Sequence, residues 1–306
     1  MDRRPDAPHS GASGAPVRTR ARKRPPLSTP SPSTPAHVPL RRRAATGPLR
    51  IGVLVSATGA NLTTLLALRD ARPEEFEVCL VASHAARVKA LELARRAGVE
   101  AWPGDFDSFC GTASAARDAA ARERYRDRAR QWHDGLDARL AEWERDHGEL
   151  DLIVLAYHRW IEGRLLDRYS GRMINQHPAD LSVLSARGER EFTGKDPVRL
   201  AMAAGRRTTR TSCFLVDGTR DGGAVLAMGP EVPVGERRPT PQDAWEQELE
   251  QKRRSDRVCL EWTVRAFAAG RLALSGDRHP DGSRVVVVDG VPTPLGGRRL
   301  TEEVAV

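Results

Sequence analysis

The chain has 306 residues, 40% of them hydrophobic, and a formal charge of +8, which is length enough for one large domain or two modest ones. The positive charge is local. Residues 1–48 hold ten Arg or Lys against two Asp, and the remaining 39 basic and 39 acidic residues cancel. The body is therefore neutral, which argues against a specific nucleic-acid surface. No apolar run approaches the roughly 18 residues a membrane span needs. The four cysteines, Cys79, Cys110, Cys213 and Cys259, are widely spaced, which argues against a zinc knuckle or a disulfide framework and points to a reducing, cytoplasmic compartment.

Residues 1–48 carry ten of the 21 prolines, with too little apolar surface to offset the entropy of ordering, so this extension is expected to be disordered. An Arg-rich, acid-poor leader could also be a transit peptide, but its prolines break any amphipathic helix. One domain is expected over residues 49–306. Its first element is the apolar run from Arg50 to Ser56, as in a strand covered on both faces. A turn through Ala57, Thr58, Gly59, Ala60 and Asn61 leads to a helix with Leu62, Leu65 and Leu66 on one side, and Asn61 suits its cap. Such a strand, small-residue turn and helix offer free backbone N–H groups to an anion. The turn has neither the dinucleotide glycine pattern nor the nucleotide-binding lysine pattern.

Further along, residues 76–82 read as a second strand, 86–96 as a helix and 99–102 as an edge strand. Residues 113–147 form a charged helical stretch in which Leu136, Leu140 and Trp143 make an apolar line. Residues 150–156 are another buried strand, and a short helix ends near Tyr169. Alternation of this kind predicts a mostly parallel twisted sheet with helices on both faces and ligands at its carboxyl edge. After a long loop, a helix over 196–204 is expected with Asp196 as its cap, then strands over 208–216 and 224–234. One long helix over 242–269 and closing strands near 270–274 and 284–289 complete the reading.

Two stretches carry chemistry. Met173 and Ile174 end a buried strand that Pro178 stops, and Asn175 and His177, two residues apart, leave it on one face. An amide donor beside an imidazole that exchanges protons near neutrality suits carbonyl chemistry. Asp221 precedes Gly222 and Gly223 on a tight loop. Taken singly, Asn175 and Asp221 would pass as turn residues and His177 as a strand-end histidine.

In order and spacing these stretches resemble the phosphoribosylglycinamide formyltransferase family. The similarity runs over residues 50–275, through Val53 to Leu62, Tyr169 to Pro178, Thr211 and Ser212 with Asp221 to Gly223, and Phe267 to Leu272. It implies a Rossmann-like formyltransferase fold and 10-formyltetrahydrofolate as formyl donor, with no metal. It also implies small-molecule substrates and either a monomer or a homodimer. By resemblance Asn175, His177 and Asp221 form the catalytic set, and Gly59, Ala60 and Asn61 cradle the substrate phosphate. Arg159 falls on the folate, and Asp256 stands where the family has a substrate-contacting glutamate. The chain departs at Ala60 (usually Ser), at Phe214 (usually His) and over Ala179 to Ser182. These departures bear on the acceptor, whose expected identity is glycinamide ribonucleotide. The alternatives are formyltetrahydrofolate hydrolysis, which in the family comes with a preceding regulatory domain, and formylation of a sugar amine. Methionyl-tRNA formylation would call for a basic C-terminal domain, and a non-catalytic folate binder would not call for the Asn-x-His and Asp-Gly-Gly pairs.

Overall fold

The computed structural model describes residues 37–41 and 47–302. Strand β2 (Leu49–Val55) is followed by α1 (Ala60–Ala71), β3 (Phe76–Ser83), α2 (Lys89–Arg96) and β4 (Glu100–Trp102). Next come α3 (Phe106–Cys110), the long α4 (Ala119–His147), β5 (Leu152–Ala156), α5 (Arg164–Arg168) and β6 (Met173–His177). These five strands pair in parallel in the order β4, β3, β2, β5, β6. Beyond β6 lie β8 (Ser212–Leu215), antiparallel to it, then β9 (Val225–Met228), and finally β14 (Arg298–Arg299), parallel to β9. The expected mostly parallel sheet is what the chain builds.

Side chains alternate across this sheet. Ile51, Val53 and Val55 of β2 join Leu62 and Leu65 of α1 in one core, with Val264 and Phe267 from α8 (Arg257–Ala268). Leu54, on the opposite face, joins Leu155, Met173, Leu140, Trp143 and Leu165 in a second core. Both faces are covered, which is why β2 and β5 read as continuous apolar runs. Beside the second core, buried Glu144 accepts from the Tyr169 hydroxyl at 2.7 Å and forms an ion pair with Arg168.

Several expectations are corrected. Leu40, inside the extension expected to be disordered, is 4% exposed, and its N–H donates to the Leu272 carbonyl at 3.0 Å. Beside it, β1 (Val38–Pro39) pairs with β11 (Leu272–Arg278). The rest of that expectation, up to residue 36 and over 42–46, lies outside the described residues. Strand β11 does not close the central sheet. With β12 (Arg284–Val288), β13 (Val291–Pro292) and β1 it forms a separate antiparallel sheet, and β14 provides the edge instead. The stretches read as single strands over 208–216 and 224–234 each divide, because β7 (Thr208–Thr209) and β10 (Val232–Pro233) pair only with each other. Asp196 precedes α6 (Pro197–Ala203) with φ of 53° and makes no side-chain cap bond. The long helix expected over 242–269 is α7 (Pro241–Gln251), a π-helical turn (Lys252–Asp256) and α8. Among the described residues no helix is long and apolar enough to cross a membrane.

Candidate active site

The chain order reverses at β2. The first three strands run outward to β4, then the chain returns to place β5 on the other side of β2. A crevice forms beyond the carboxyl ends of the strands at such a point, and there Ser56, just past β2, meets the segment just past β5. The Ser56 hydroxyl accepts from the His158 N–H at 2.7 Å and lies 3.2 Å from Nδ1 of His84. Burial, then the neighbouring Arg159, lowers the pKa of His84, and the same two causes lower that of His158. Ser56, His84 and His158 went unnoticed in the sequence, because nothing in their local pattern says that strands 100 residues apart bring them together.

The turn expected to hold a phosphate stands at this edge. Gly59 has φ of 85°, and a Cβ on it would come within 3.0 Å of Ala90, so the turn is built around a residue without a side chain. Gly59 itself is the cap position. Ala60 and Asn61 lie in the first turn of α1, which makes no side-chain cap bond. Asn61 therefore does not cap the helix as expected, and the first backbone N–H groups of α1 are left for an outside acceptor.

Asn175 and His177 fall on β6, in register with Phe214 and Ser212 of β8. The amide Oδ1 of Asn175 accepts from the Gln176 N–H at 2.9 Å, which leaves the NH2 group as the donor to the site. Nε2 of the buried His177 is 2.8 Å from the Phe192 carbonyl. A carbonyl only accepts, so Nε2 carries a proton that it donates there. Nδ1, 3.8 Å from Oδ2 of Asp221, is the nitrogen free to exchange one.

Asp221 sits in a left-handed turn with φ of 50°, a conformation that costs a non-glycine residue about 1 kcal/mol or more. It is held there by Gly194, whose N–H donates to Oδ2 at 2.9 Å, and by Arg190, which donates to its carbonyl. A Cβ on Gly223 would lie 1.7 Å from the Leu215 carbonyl oxygen, so only glycine lets this loop return to β8. One pocket brings together Arg159, Asn175 and Asp221, walled by Leu155, Tyr157, Trp160, Ile161 and Phe214. The Arg159 guanidinium donates to both oxygens of Asp107, at 2.9 and 3.1 Å, and lies 5.3 Å from the centre of the Phe106 ring. Phe214, where a polar partner was expected to be missing, is 3% exposed and packs with Leu181, Val225 and Met228.

Asp256 does not line that pocket. It ends the π-helical turn, where its carboxylate accepts from the Thr211 hydroxyl and its carbonyl accepts from Gln176 Nε2 at 2.8 Å. Burial raises its pKa from 3.8 to about 6, against the pull of the Thr211 hydroxyl and of Lys252. Lys252 and Glu248 also act electrostatically on His158. π-Helical turns within helices are frequent at functional sites. Lys252 was missed in the sequence, where the helix over 242–269 is read from its apolar residues alone.

The chain is similar to proteins of known family. Residues 49–252 match the formyl transferase family. Over 189 residues, 61% of this chain and 72% of the other, it is 31% identical to a phosphoribosylglycinamide formyltransferase of Mycobacterium tuberculosis. It is 26% identical over 196 residues to a trifunctional purine biosynthetic protein of Gallus gallus, but spans only 16% of that much longer chain. A glycinamide ribonucleotide transformylase of Symbiobacterium toebii superposes with a TM-score of 0.54 at 29% identity, covering 80% of this chain and 95% of that one. A formyltetrahydrofolate deformylase of Burkholderia mallei shares the fold at 19% identity, with a TM-score of 0.54, over 80% of this chain and 72% of its own. Fold and match together define an α/β enzyme of the Rossmann-like class, and the chain belongs to the formyl transferase family. Within it, the relatives at 29 to 31% identity place it among phosphoribosylglycinamide formyltransferase-like enzymes.

Proposed function

We propose that this enzyme transfers the formyl group of 10-formyltetrahydrofolate to the primary amine of a phosphorylated acceptor, glycinamide ribonucleotide. The observation that carries the reading is the single pocket in which Asn175, Asp221 and Arg159 converge, with His177 3.8 Å from Asp221. The amine nitrogen attacks the formyl carbon and creates an oxyanion. The Asn175 NH2 donates to that oxygen, a contribution worth about 3 kcal/mol when such a donor is already in place. His177, fixed through Nε2, delivers a proton from Nδ1 to the folate nitrogen as the bond from it to the formyl carbon breaks. Asp221 orients the imidazole and takes up the proton that the amine gives off, through water.

The acceptor has two features to satisfy and the donor one. A phosphate suits the open first turn of α1 at Gly59 to Asn61, two strands or about 10 Å from β6. An ammonium or a hydroxyl pair suits Asp256. Arg159 and Trp160 suit the flat, anionic donor. The specificity test is a panel of amines offered with 10-formyltetrahydrofolate, with formylated product measured by mass spectrometry. Product from glycinamide ribonucleotide but not from amino sugars or their nucleotides is expected. The reverse pattern would reassign the acceptor and make Ala60 the first residue to examine.

A further inference from the structure

The match to the formyl transferase family covers residues 49–252, yet a residue well beyond that span reaches the loop that carries Asp221. Asp281 is at the tip of the hairpin between β11 and β12, with its side chain 3% exposed. One of its oxygens accepts from the backbone N–H and hydroxyl of Ser283, at 3.0 and 2.7 Å. The other accepts from Nε of Arg190 at 2.8 Å, and the Arg190 side chain is itself only 4% exposed. Arg190 belongs to the loop between β6 and α6, where it forms an isolated bridge with Leu184. Its remaining two nitrogens go to the Asp221 loop: Nη1 donates to the Asp221 carbonyl and Nη2 to the Gly223 carbonyl at 2.9 Å.

We infer that Asp281 and Arg190 form a clamp by which the C-terminal hairpin holds Asp221 in register with His177, making both of them positioning residues for the reaction. This rests on the reading of Asp221 given above. A guanidinium presents its donors in a rigid fork, so once Asp281 fixes Nε, the places of Nη1 and Nη2 are fixed too. The two carbonyls they take flank the two-glycine segment, the most freely moving backbone in the loop. Asp221 stays in its left-handed turn only while its surroundings over-determine it. The same arginine sits on the loop whose Phe192 carbonyl fixes His177 Nε2, so one buried ion pair governs both halves of the His177 and Asp221 pair. An arginine that only stabilised the fold would have no reason to spend both terminal nitrogens on carbonyls beside the one residue aimed at the imidazole.

The test compares the full-length enzyme with a double variant, Arg190→Met with Asp281→Leu. Removing both charges together leaves neither buried and unpaired, so the fold survives better than with either single change. The clamp predicts a fall in kcat of about tenfold or more with KM for donor and acceptor within about threefold. It also predicts faster hydrogen exchange confined to residues 217–223 and 190–194. Wild-type kcat in a folded double variant overturns it, as does exchange that rises evenly over the whole chain. If the double variant does not fold, Asp281→Asn carries the test, since it keeps an oxygen for Ser283 while weakening the hold on Arg190. A kcat reduced about threefold or more at unchanged KM is then expected, and full activity overturns the clamp. Asp221→Asn, run alongside, separates the two layers. If it is inactive while the clamp variants are fully active, the clamp alone falls; if it is itself fully active, the reading of Asp221 falls and takes the clamp with it.

Discussion

Replacing Asp256 by Asn tests whether this carboxylate is held at a cost to the fold. Burial is the main cause that raises its pKa from 3.8 to about 6, with Glu248 adding to it and Thr211 and Lys252 opposing. Between those two values the folded protein keeps a proton that the unfolded chain releases, so stability falls as pH rises through that window and the full penalty is present above pH 6. The difference between 3.8 and about 6 corresponds to at most about 3 kcal/mol, less what solvent screening removes at this partly open side chain. Asn keeps the acceptor for Thr211 without the charge. Thermal unfolding from pH 4.5 to 8 should show the variant gaining on the wild type as pH rises, by about 5 to 10 °C in Tm at the alkaline end. In kinetics the sign is opposite. The acceptor KM of the wild type should rise as pH falls below about 6 and Asp256 is protonated, whereas Asp256→Asn should have a high KM at every pH. A Tm offset independent of pH, or an acceptor KM untouched by the substitution, would refute the reasoning.

Asn175→Ala and His177→Ala should each lower kcat by about a hundredfold while donor binding, followed by fluorescence titration, changes little; near-wild-type turnover of either would make β6 a structural strand end. His133 is fully buried with neither ring nitrogen hydrogen-bonded, and burial lowers its pKa to about 4. The unfolded chain therefore takes up the proton first, and stability present at neutral pH is lost as pH falls from 6.5 toward 4, by about 2 kcal/mol at pH 5. His133→Leu should remove that loss, so its urea midpoint relative to wild type should improve between pH 7.5 and 5; a constant difference would show that His133 does not titrate on unfolding.

The parallel half of the sheet was readable because β2, β3 and β5 are buried on both faces and so are continuous in apolar character. The proposed Asn175, His177 and Asp221 set leaves only local marks in the sequence, strand alternation and a tight glycine loop, and its roles came from the resemblance. What the sequence hid depends on distant partners. Leu40 reads as part of a proline-rich tail until the Leu272 carbonyl is placed beside its N–H. The π turn at Lys252 to Asp256 interrupts a helical pattern without a proline or glycine, since the extra residue is accommodated by the contacts of Ser255 and Asp256 with Thr211. Arg190 and Asp281 are 91 residues apart, and no periodicity connects them. Asn61 misled for a different reason: its type favours a cap, but Gly59 enters the helix from the left-handed region and takes that position first.

Transfer to an amine rather than to water is what separates a formyltransferase from a hydrolase on this site. The measurement is tetrahydrofolate release from 10-formyltetrahydrofolate by purified protein, followed continuously by absorbance, with and without glycinamide ribonucleotide. Rapid release is expected only when the amine is present, with one formylated amine formed for each tetrahydrofolate. Equally rapid release in its absence would contradict transfer to the amine and make the enzyme a hydrolase.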